Sequence, residues 1–346
     1  MRAGAAVRHY FIEAYTPFGQ ISLLEEFLAQ IKYTYLFTGG PGTGKSTMIK
    51  LIGIELIDRG FNVEYIRSVK EPDSVAGLYL RKQKLCILDR NEFVPEILIR
   101  SEYQREIDFN SFCQQSKLAK AEQKIAALVA TLQSLEHEII LNLQRDYLKE
   151  EDLKVAQLVL NKAGSIHNFL PIWRIANFEN QRLLPEQSRY NEIMEIISQI
   201  QQQYLSYYFL QALRLDKWLN LAPHFIKDYD LICLDSEGTV HMLPELLQEV
   251  KHLRQEIELI VHPLKPYAII GMIFPEKNLT VWKGNPHKLE EQGFHPEHSP
   301  DLLQVLERYK TCRFDLKTIY NTSVNFSRLD ELREQIVSCI MADLRK

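Results

Sequence analysis

The chain has 346 residues, 46% of them hydrophobic and 25% charged, which is enough for two ordinary domains or one enlarged by an insertion, with the composition of a soluble globular protein. A formal charge of −4 excludes a broadly basic nucleic-acid-binding surface, and the lack of any run of about 18 apolar residues excludes a membrane-spanning helix. The start MRAGAAVR lacks the apolar core of a signal peptide, and the five cysteines are odd in number, far apart and without a C-x-x-C pair; both features point to a cytoplasmic chain with reduced thiols.

In chain order, residues 9–15 (HYFIEAY) alternate as a short strand does, and 16–19 (TPFG) read as a turn. Residues 21–31 carry Leu23, Leu24, Phe27, Leu28 and Ile31 on one helical face. The next stretch, YLFTGGPGTGKST (35–47), is an apolar strand that breaks into a glycine-rich loop and enters a helical run through Ile57. Gly39, Gly44, Lys45 and Ser46 satisfy G-x4-G-K-[ST], and the strand before and helix after supply the context that motif requires.

The chemistry follows from the residue types. Glycines allow successive backbone N–H groups to converge on one point, and the helix directs its free N–H groups and positive dipole end there. Gly39, Gly40, Pro41, Gly42, Thr43, Gly44, Lys45, Ser46 and Thr47 are therefore expected to cradle the phosphates of ATP, with Lys45 as a point charge on the outer phosphates and Ser46 on Mg²⁺.

Arg59-Gly60 is a helix-end signal, and residues 62–66 (NVEYI) read as the next strand, which implies a parallel strand–helix–strand unit. Residues 84–89 (KLCILD) form a further strand ending in a carboxylate, so Asp89 is the expected second Mg²⁺ ligand and, with Lys45, the expected catalytic pair. Arg81 and Arg90 are candidate charge stabilisers of lower standing.

From Leu118 the pattern changes. Leu118, Ala121, Ile125, Leu128, Leu132, Leu135 and Ile139 are spaced alternately by three and four residues, the seam of a long helix. Leu153, Ala156, Leu160 and Ala163 suit a return helix, giving a hairpin that either closes on its own chain or offers a surface to a protein partner or a second copy. Residues 185–213 read as another helical segment.

A displacement of 194 residues then aligns 63–91 with 257–285 without a gap. The identities are Glu64/Glu258, Ile66/Ile260, Pro72/Pro266, Gly77/Gly271, Leu85/Leu279 and Asn91/Asn285. With small shifts the match extends backward, placing residues 9–14 on 207–212 and Tyr33 on Tyr229. In this second copy residues 234–242 (LDSEGTVHM) replace the glycine loop and Lys283 replaces Asp89, so it should bind no nucleotide phosphate. Asp235 and Glu237 also form an alternative acidic strand end. His295 and His298 have a metal-ligand spacing, but Pro296 between them favours a solvated loop. Ser327 reads as the N-cap of a closing amphipathic helix over 327–340.

On residues 9–11, 16–19, the loop 39–47, the 72–89 segment and the closing 320–340 stretch, the chain resembles a family of bacterial P-loop ATPases built from two tandem NTPase-like units. The resemblance runs nearly full length, and the loop is its specific motif. It implies that Gly39, Gly44, Lys45, Ser46 and Thr47 bind ATP and Mg²⁺ and that the second unit is structural or regulatory. The expected fold is α/β: a P-loop NTPase with a parallel sheet flanked by helices (1–110), a helical coiled-coil-like insertion (111–203) and a second NTPase-like unit with a degenerate loop (204–346). The expected function is Mg²⁺-dependent ATP hydrolysis at one site per chain. Phosphoryl transfer to a small molecule or nucleoside, and a non-hydrolytic nucleotide-gated interaction module, are the alternatives.

Overall fold

The computed structural model describes residues 6–93, 103–148, 204–215, 217–234, 255–288 and 299–345. Within them the elements in chain order are β1 (Val7–Tyr10), β2 (Glu13–Thr16), β3 (Gly19–Ser22), α1 (Leu24–Leu28), β4 (Tyr33–Thr38), α2 (Lys45–Asp58), β5 (Val63–Arg67), β6 (Val75–Leu80), β7 (Leu85–Asp89), β8 (Tyr103–Asp108), α3 (Gln115–Lys120) and α4 (Glu122–Tyr147). There follow β9 (Leu205–Tyr208), β10 (Gln211–Leu213), β11 (Trp218–Asn220), α5 (Ala222–Phe225), β12 (Asp230–Leu234), β13 (Ile257–His262), β14 (Lys265–Phe274), β15 (Leu279–Lys283), α6 (Pro300–Asn321) and α7 (Phe326–Asp343). Two compact units result: residues 1–9, 31–139 and 300–346 in one, and 10–30 with 140–299 in the other. Both are discontinuous in sequence. The closing helices thus belong with the glycine-loop sheet, not with the strands that precede them.

The first unit is built on a six-stranded sheet ordered β1-β5-β6-β7-β4-β8. Strand β4 lies between β7 and the edge strand β8 and runs parallel to both, whereas β6 lies antiparallel between β5 and β7. The sheet is therefore mixed where a parallel one was expected. Connection length is the reason: the 68–74 and 81–84 links are too short for the crossover of a dozen or more residues that parallel neighbours need, so the strands fold as hairpins. Lys84, at φ 51°, makes the second of these turns.

Helix α2 packs one face on this sheet, burying Met48, Ile49, Ile52 and Leu56. It stops where the sequence says it should. Gly60 sits at φ 89°, its N–H donates to Ile57 O at 2.8 Å, and Phe61 N–H donates to Leu56 O at 3.0 Å, a Schellman closure. Helix α7 lays Leu329, Ile336, Val337 and Ile340 into the same core. Its end is locked by Asp343, which accepts from Tyr35 Oη at 2.7 Å and Arg105 Nη2 at 3.2 Å. The cap of α7 is Asn325, accepting from Arg328 N–H, rather than Ser327, because the helix begins at Phe326.

The heptad residues of α3 and α4 from Leu118 to Ile139 are buried or half-buried, while the residues between them are mainly exposed. Within the first unit α4 is held against α6: Tyr309 Oη donates to Glu136 at 2.7 Å, Arg308 pairs with Glu138 at 3.1 Å, and the Cys312 thiol meets Leu128 O at 3.4 Å. The return helix expected over 153–163, residues 185–203 of the helical segment expected over 185–213, Asp235, Glu237 and the rest of the 235–242 segment, and the His295/His298 pair lie outside the described residues. The end of that segment is strand and not helix, because Leu205–Tyr208 pairs with Ile257–Ile260 and Gln211–Leu213 with Trp218–Asn220.

The second unit carries a five-stranded sheet ordered β12-β15-β14-β13-β9. Read from the other end, this is the order β1-β5-β6-β7-β4, and the strand directions agree: β13 and β14 are antiparallel, β14 and β15 antiparallel, β15 and β12 parallel. The 194-residue displacement carries β7 onto β15 and the positive-φ Lys84 (51°) onto the positive-φ Asn278 (51°). It also carries Gly77 onto Gly271, two glycines crowded by the equivalent neighbours Leu88 and Trp282. The sheet register corrects one detail of the repeat. Tyr33 pairs with Leu85 as Asp230 pairs with Leu279, so β4 matches β12 with Tyr33 on Asp230, one residue from Tyr229.

Residues 10–30 join this second unit. The strand expected over 9–15 breaks at Phe11, whose backbone exchanges two 2.9 Å hydrogen bonds with Phe209, the residue that the repeat places on it. Part of the helix expected over 21–31 is instead strand. Ile21 pairs with Ala14 in the β2–β3 hairpin, whose turn is fixed by Phe18 N–H donating to Thr16 Oγ1 at 2.9 Å and by Gly19 at φ 117°; only Leu24–Leu28 remains helical.

Candidate functional site

The glycine-rich loop leaves the carboxyl end of β4 and enters α2 through Gly44, which caps the helix at φ 97°. Gly39 and Gly42 also have positive φ, 113° and 87°, conformations that cost an L side chain one or more kcal/mol, of order. The loop is internally tied: Thr43 Oγ1 donates to Gly40 O at 2.8 Å. It is also pinned from β8, where Asp108 accepts from Asn110 N–H at 2.9 Å and Asn110 Oδ1 in turn accepts from Gly40 N–H at 3.0 Å.

Lys45 opens the helix and folds back under the loop, only 3% exposed. Its ammonium donates to Gly39 O at 2.6 Å, Gly40 O at 2.7 Å and Thr43 Oγ1 at 3.4 Å, and lies 3.7 Å from Asp89 Oδ2. Register explains the last contact, since Asp89 is the final residue of β7 and sits beside Phe37 of β4. Burial pushes the Asp89 carboxyl up to about 7; Lys45 opposes that rise and the nearby Glu92 adds to it. Ser46 Oγ, one residue on, shares a hydrogen bond of 2.8 Å with Ser74 Oγ and accepts from Val75 N–H at 3.4 Å.

A cavity of about 430 Å³ opens over these groups. Of the expected loop residues, Pro41, Gly42, Gly44, Lys45, Ser46 and Thr47 line it together with Asp89; Gly39, Gly40 and Thr43 stand behind them as scaffold. Arg81 and Arg90 are not among the lining residues, and Arg81 is engaged with Glu64 at 2.8 Å on the sheet.

Several residues in or beside this cavity carry no signal in the sequence. Glu92 lies on its wall, with Ser68 Oγ donating to one carboxylate oxygen at 2.5 Å and Arg313 to the other at 2.9 Å. Burial alone would raise the Glu92 carboxyl, but Arg313, Lys70 and the two hydrogen bonds hold it down at about 2. From α6 come Arg313, behind Glu92, and Lys317, which lines the cavity and pairs with Glu71. The loop and α6 are in close contact: a Cβ on Gly42 would stand 2.4 Å from Lys317 O, and one on Gly40 2.1 Å from the Tyr320 ring. Phe326, at the start of α7, lines the rim with its side chain about half exposed. These partners lie over 200 residues from the loop, and their approach has no local periodicity to betray it.

Ser46, Glu71, Asp73, Asp89 and Glu92 all line the cavity, and their oxygens are of the kind taken by Mg²⁺, a hard cation that needs one or two protein ligands and keeps its waters. Among the described residues no three His, Cys, Asp or Glu side chains form an all-protein metal cage, and no helix is long and apolar enough to cross a membrane. Comparison with protein-family models, curated proteins and solved structures finds no match.

Proposed function

We propose that the first unit binds a nucleoside triphosphate, ATP, at the glycine loop and hydrolyses its terminal phosphoanhydride. The observation that carries this reading is the convergence of Lys45, Ser46 and Asp89 on one cavity beneath a loop with three positive-φ glycines. Backbone N–H groups of the loop and of the first turn of α2 present positive charge to the phosphates. Lys45 exchanges its bonds to the Gly39 and Gly40 carbonyls for phosphate oxygens, a gain because an anionic acceptor adds the attraction of opposite full charges to the hydrogen bond. Ser46 and Asp89 would hold Mg²⁺, which supplies charge neutralisation across the outer phosphates when bound.

Glu92 is the carboxylate available to orient an attacking water. Ser68 and Arg313 fix both its oxygens and keep it ionised. Phe326 offers an aromatic face at the rim for the base.

The test is equilibrium nucleotide binding and phosphate release with Mg-ATP for the wild type, Lys45→Ala and Asp89→Ala. Lys45→Ala should weaken ATP binding by about tenfold or more, the scale of a lost charged hydrogen bond, and Asp89→Ala should lower Mg²⁺-dependent turnover at least as much. Unchanged binding and turnover in both variants would sink the assignment.

A further inference from the structure

Helix α6 brings two cations toward the cavity, Lys317 on its lining and Arg313 behind Glu92, and their surroundings differ in a way that separates their roles. Arg313 and Glu92 are each about 12% exposed at the side chain and bond directly at 2.9 Å. Opening such a buried pair leaves two uncompensated charges away from water, so this pair stays closed. Lys317 and its partner Glu71 are 30% and 41% exposed. An ion pair of that exposure contributes little to stability, and when it opens Glu71 keeps a second cation nearby, Arg313 Nη2 at 3.9 Å.

The root of Lys317 is fixed. Its carbonyl oxygen and Cα lie 2.4 and 2.8 Å from the position a Gly42 Cβ would take, so this residue of α6 stands directly over the loop. A polyanion placed in the loop therefore meets a cation on a flexible four-carbon stem, held only by a weak and exposed competitor. The competitor itself cannot stay where it is without cost, because Glu71 lines the same cavity and repels the phosphates.

Resting on the nucleotide reading above, we propose that Lys317 is a second cationic ligand of the terminal phosphate, released from Glu71 when a triphosphate binds. Lys45 serves the phosphates from beneath the loop and Lys317 from above it. The contact exists for a triphosphate and is absent for a diphosphate, so Lys317 makes the site discriminate between ATP and ADP. The same helix contacts α4 through Arg308, Tyr309 and Cys312, about one and a half to two and a half turns before Lys317.

The experiment measures affinity for ADP and for a non-hydrolysable ATP analogue, both with Mg²⁺, in the wild type, Lys317→Ala, Lys317→Arg, Glu71→Gln and Lys45→Ala. Lys317→Ala should weaken the triphosphate analogue by about tenfold while ADP changes less than about twofold; Lys317→Arg should restore part of the loss. Glu71→Gln, which removes the competitor and a repelling charge, should tighten the analogue and leave ADP alone. Equal losses for ADP and the analogue in Lys317→Ala would show a structural role and overturn the proposal, as would no change in either, or weaker analogue binding in Glu71→Gln. If Lys45→Ala loses both ligands while the Lys317 and Glu71 variants match the wild type, the nucleotide site stands and this proposal alone falls. If the wild type binds neither ligand, both fall.

Discussion

At the scale of single residues, the site is a balance between two carboxylates driven in opposite directions by their neighbours. Asp89 is buried against Lys45, and burial wins, holding its carboxyl near 7; Glu92, three residues on, is kept ionised to about 2 by Arg313 and Ser68. For Asp89 the folded-state value is raised above the unfolded one near 4, so its contribution to stability is full below about pH 4 and is lost as pH rises through 7. Glu92 has the opposite sign: its contribution is present above about pH 4.5 and is lost as pH falls toward 2. Asp89 can serve as the proposed Mg²⁺ ligand only when ionised. Affinity for Mg-nucleotide should therefore increase from pH 6 to pH 8, and the increase should be smaller in Asp89→Asn, where only the nucleotide's own terminal phosphate still titrates. Titration of Mg-ATP binding at fixed ionic strength checks this; a flat wild-type profile would contradict the raised Asp89 value. Lys45, Ser46 and Asp89 were legible from sequence because loop, helix start and strand end are contiguous signals. Asn110, Arg313 and Lys317 were not, since only the tertiary fold brings them to the loop.

Among the elements, β6 shows where reading by pattern falls short and the repeat shows where it succeeds. The run VAGLYL is wholly buried and lacks the alternation that marks a half-buried strand, and Pro72-Asp73-Ser74 before it marks only where it begins. Its insertion turns a parallel sheet into a mixed one. Yet the gapless 194-residue displacement already encoded the arrangement, because two copies can keep Gly77 and Gly271 at one place only if both strands need the same close approach. A Cβ on Gly77 would lie 2.8 Å from Leu88 Cδ2 and 2.9 Å from the Ile87 carbonyl oxygen, and one on Gly271 would lie 2.5 Å from the Trp282 ring. Gly77→Ala and Gly271→Ala are each expected to destabilise their unit by about 1–3 kcal/mol, the usual cost of overpacking. Gly60 is the control. Its Cβ would meet nothing within 4 Å, but its φ of 89° makes Gly60→Ala cost about 1 kcal/mol through the backbone alone. Denaturant unfolding of the three variants checks the ranking, and a Gly77→Ala protein no less stable than Gly60→Ala would refute the crowding argument.

For the molecule as a whole, sequence order and spatial order part company. Composition shifts and the motif divide the chain at residues 110 and 203, but the contacts assign 300–346 to the unit that holds the glycine loop. No local signal announces this, because an amphipathic closing helix shows that it has a buried face and not which sheet it covers. The energetics make the assignment consequential. Leu329, Ile336, Val337 and Ile340 of α7 are at most 6% exposed and sit in the core beside β4 and α2. At about 1.5–3 kcal/mol for each buried aliphatic side chain, these four contribute roughly 6–12 kcal/mol, as much as the whole stability of an ordinary domain. The ion and hydrogen bonds of Asp343 to Tyr35 and Arg105 are lost with them. A chain ending at residue 299 should therefore lose the fold of its first unit and all loop-dependent nucleotide binding, while residues 10–30 and 140–299 retain theirs. Hydrogen exchange should then show β4 and β7 unprotected and β13 and β14 still protected. Adding residues 300–346 as a separate peptide should restore protection of β4 and nucleotide binding together. Nucleotide binding by the truncated chain at full-length affinity would show that the phosphate loop stands without its distant helices, against both the core and the role given to Lys317.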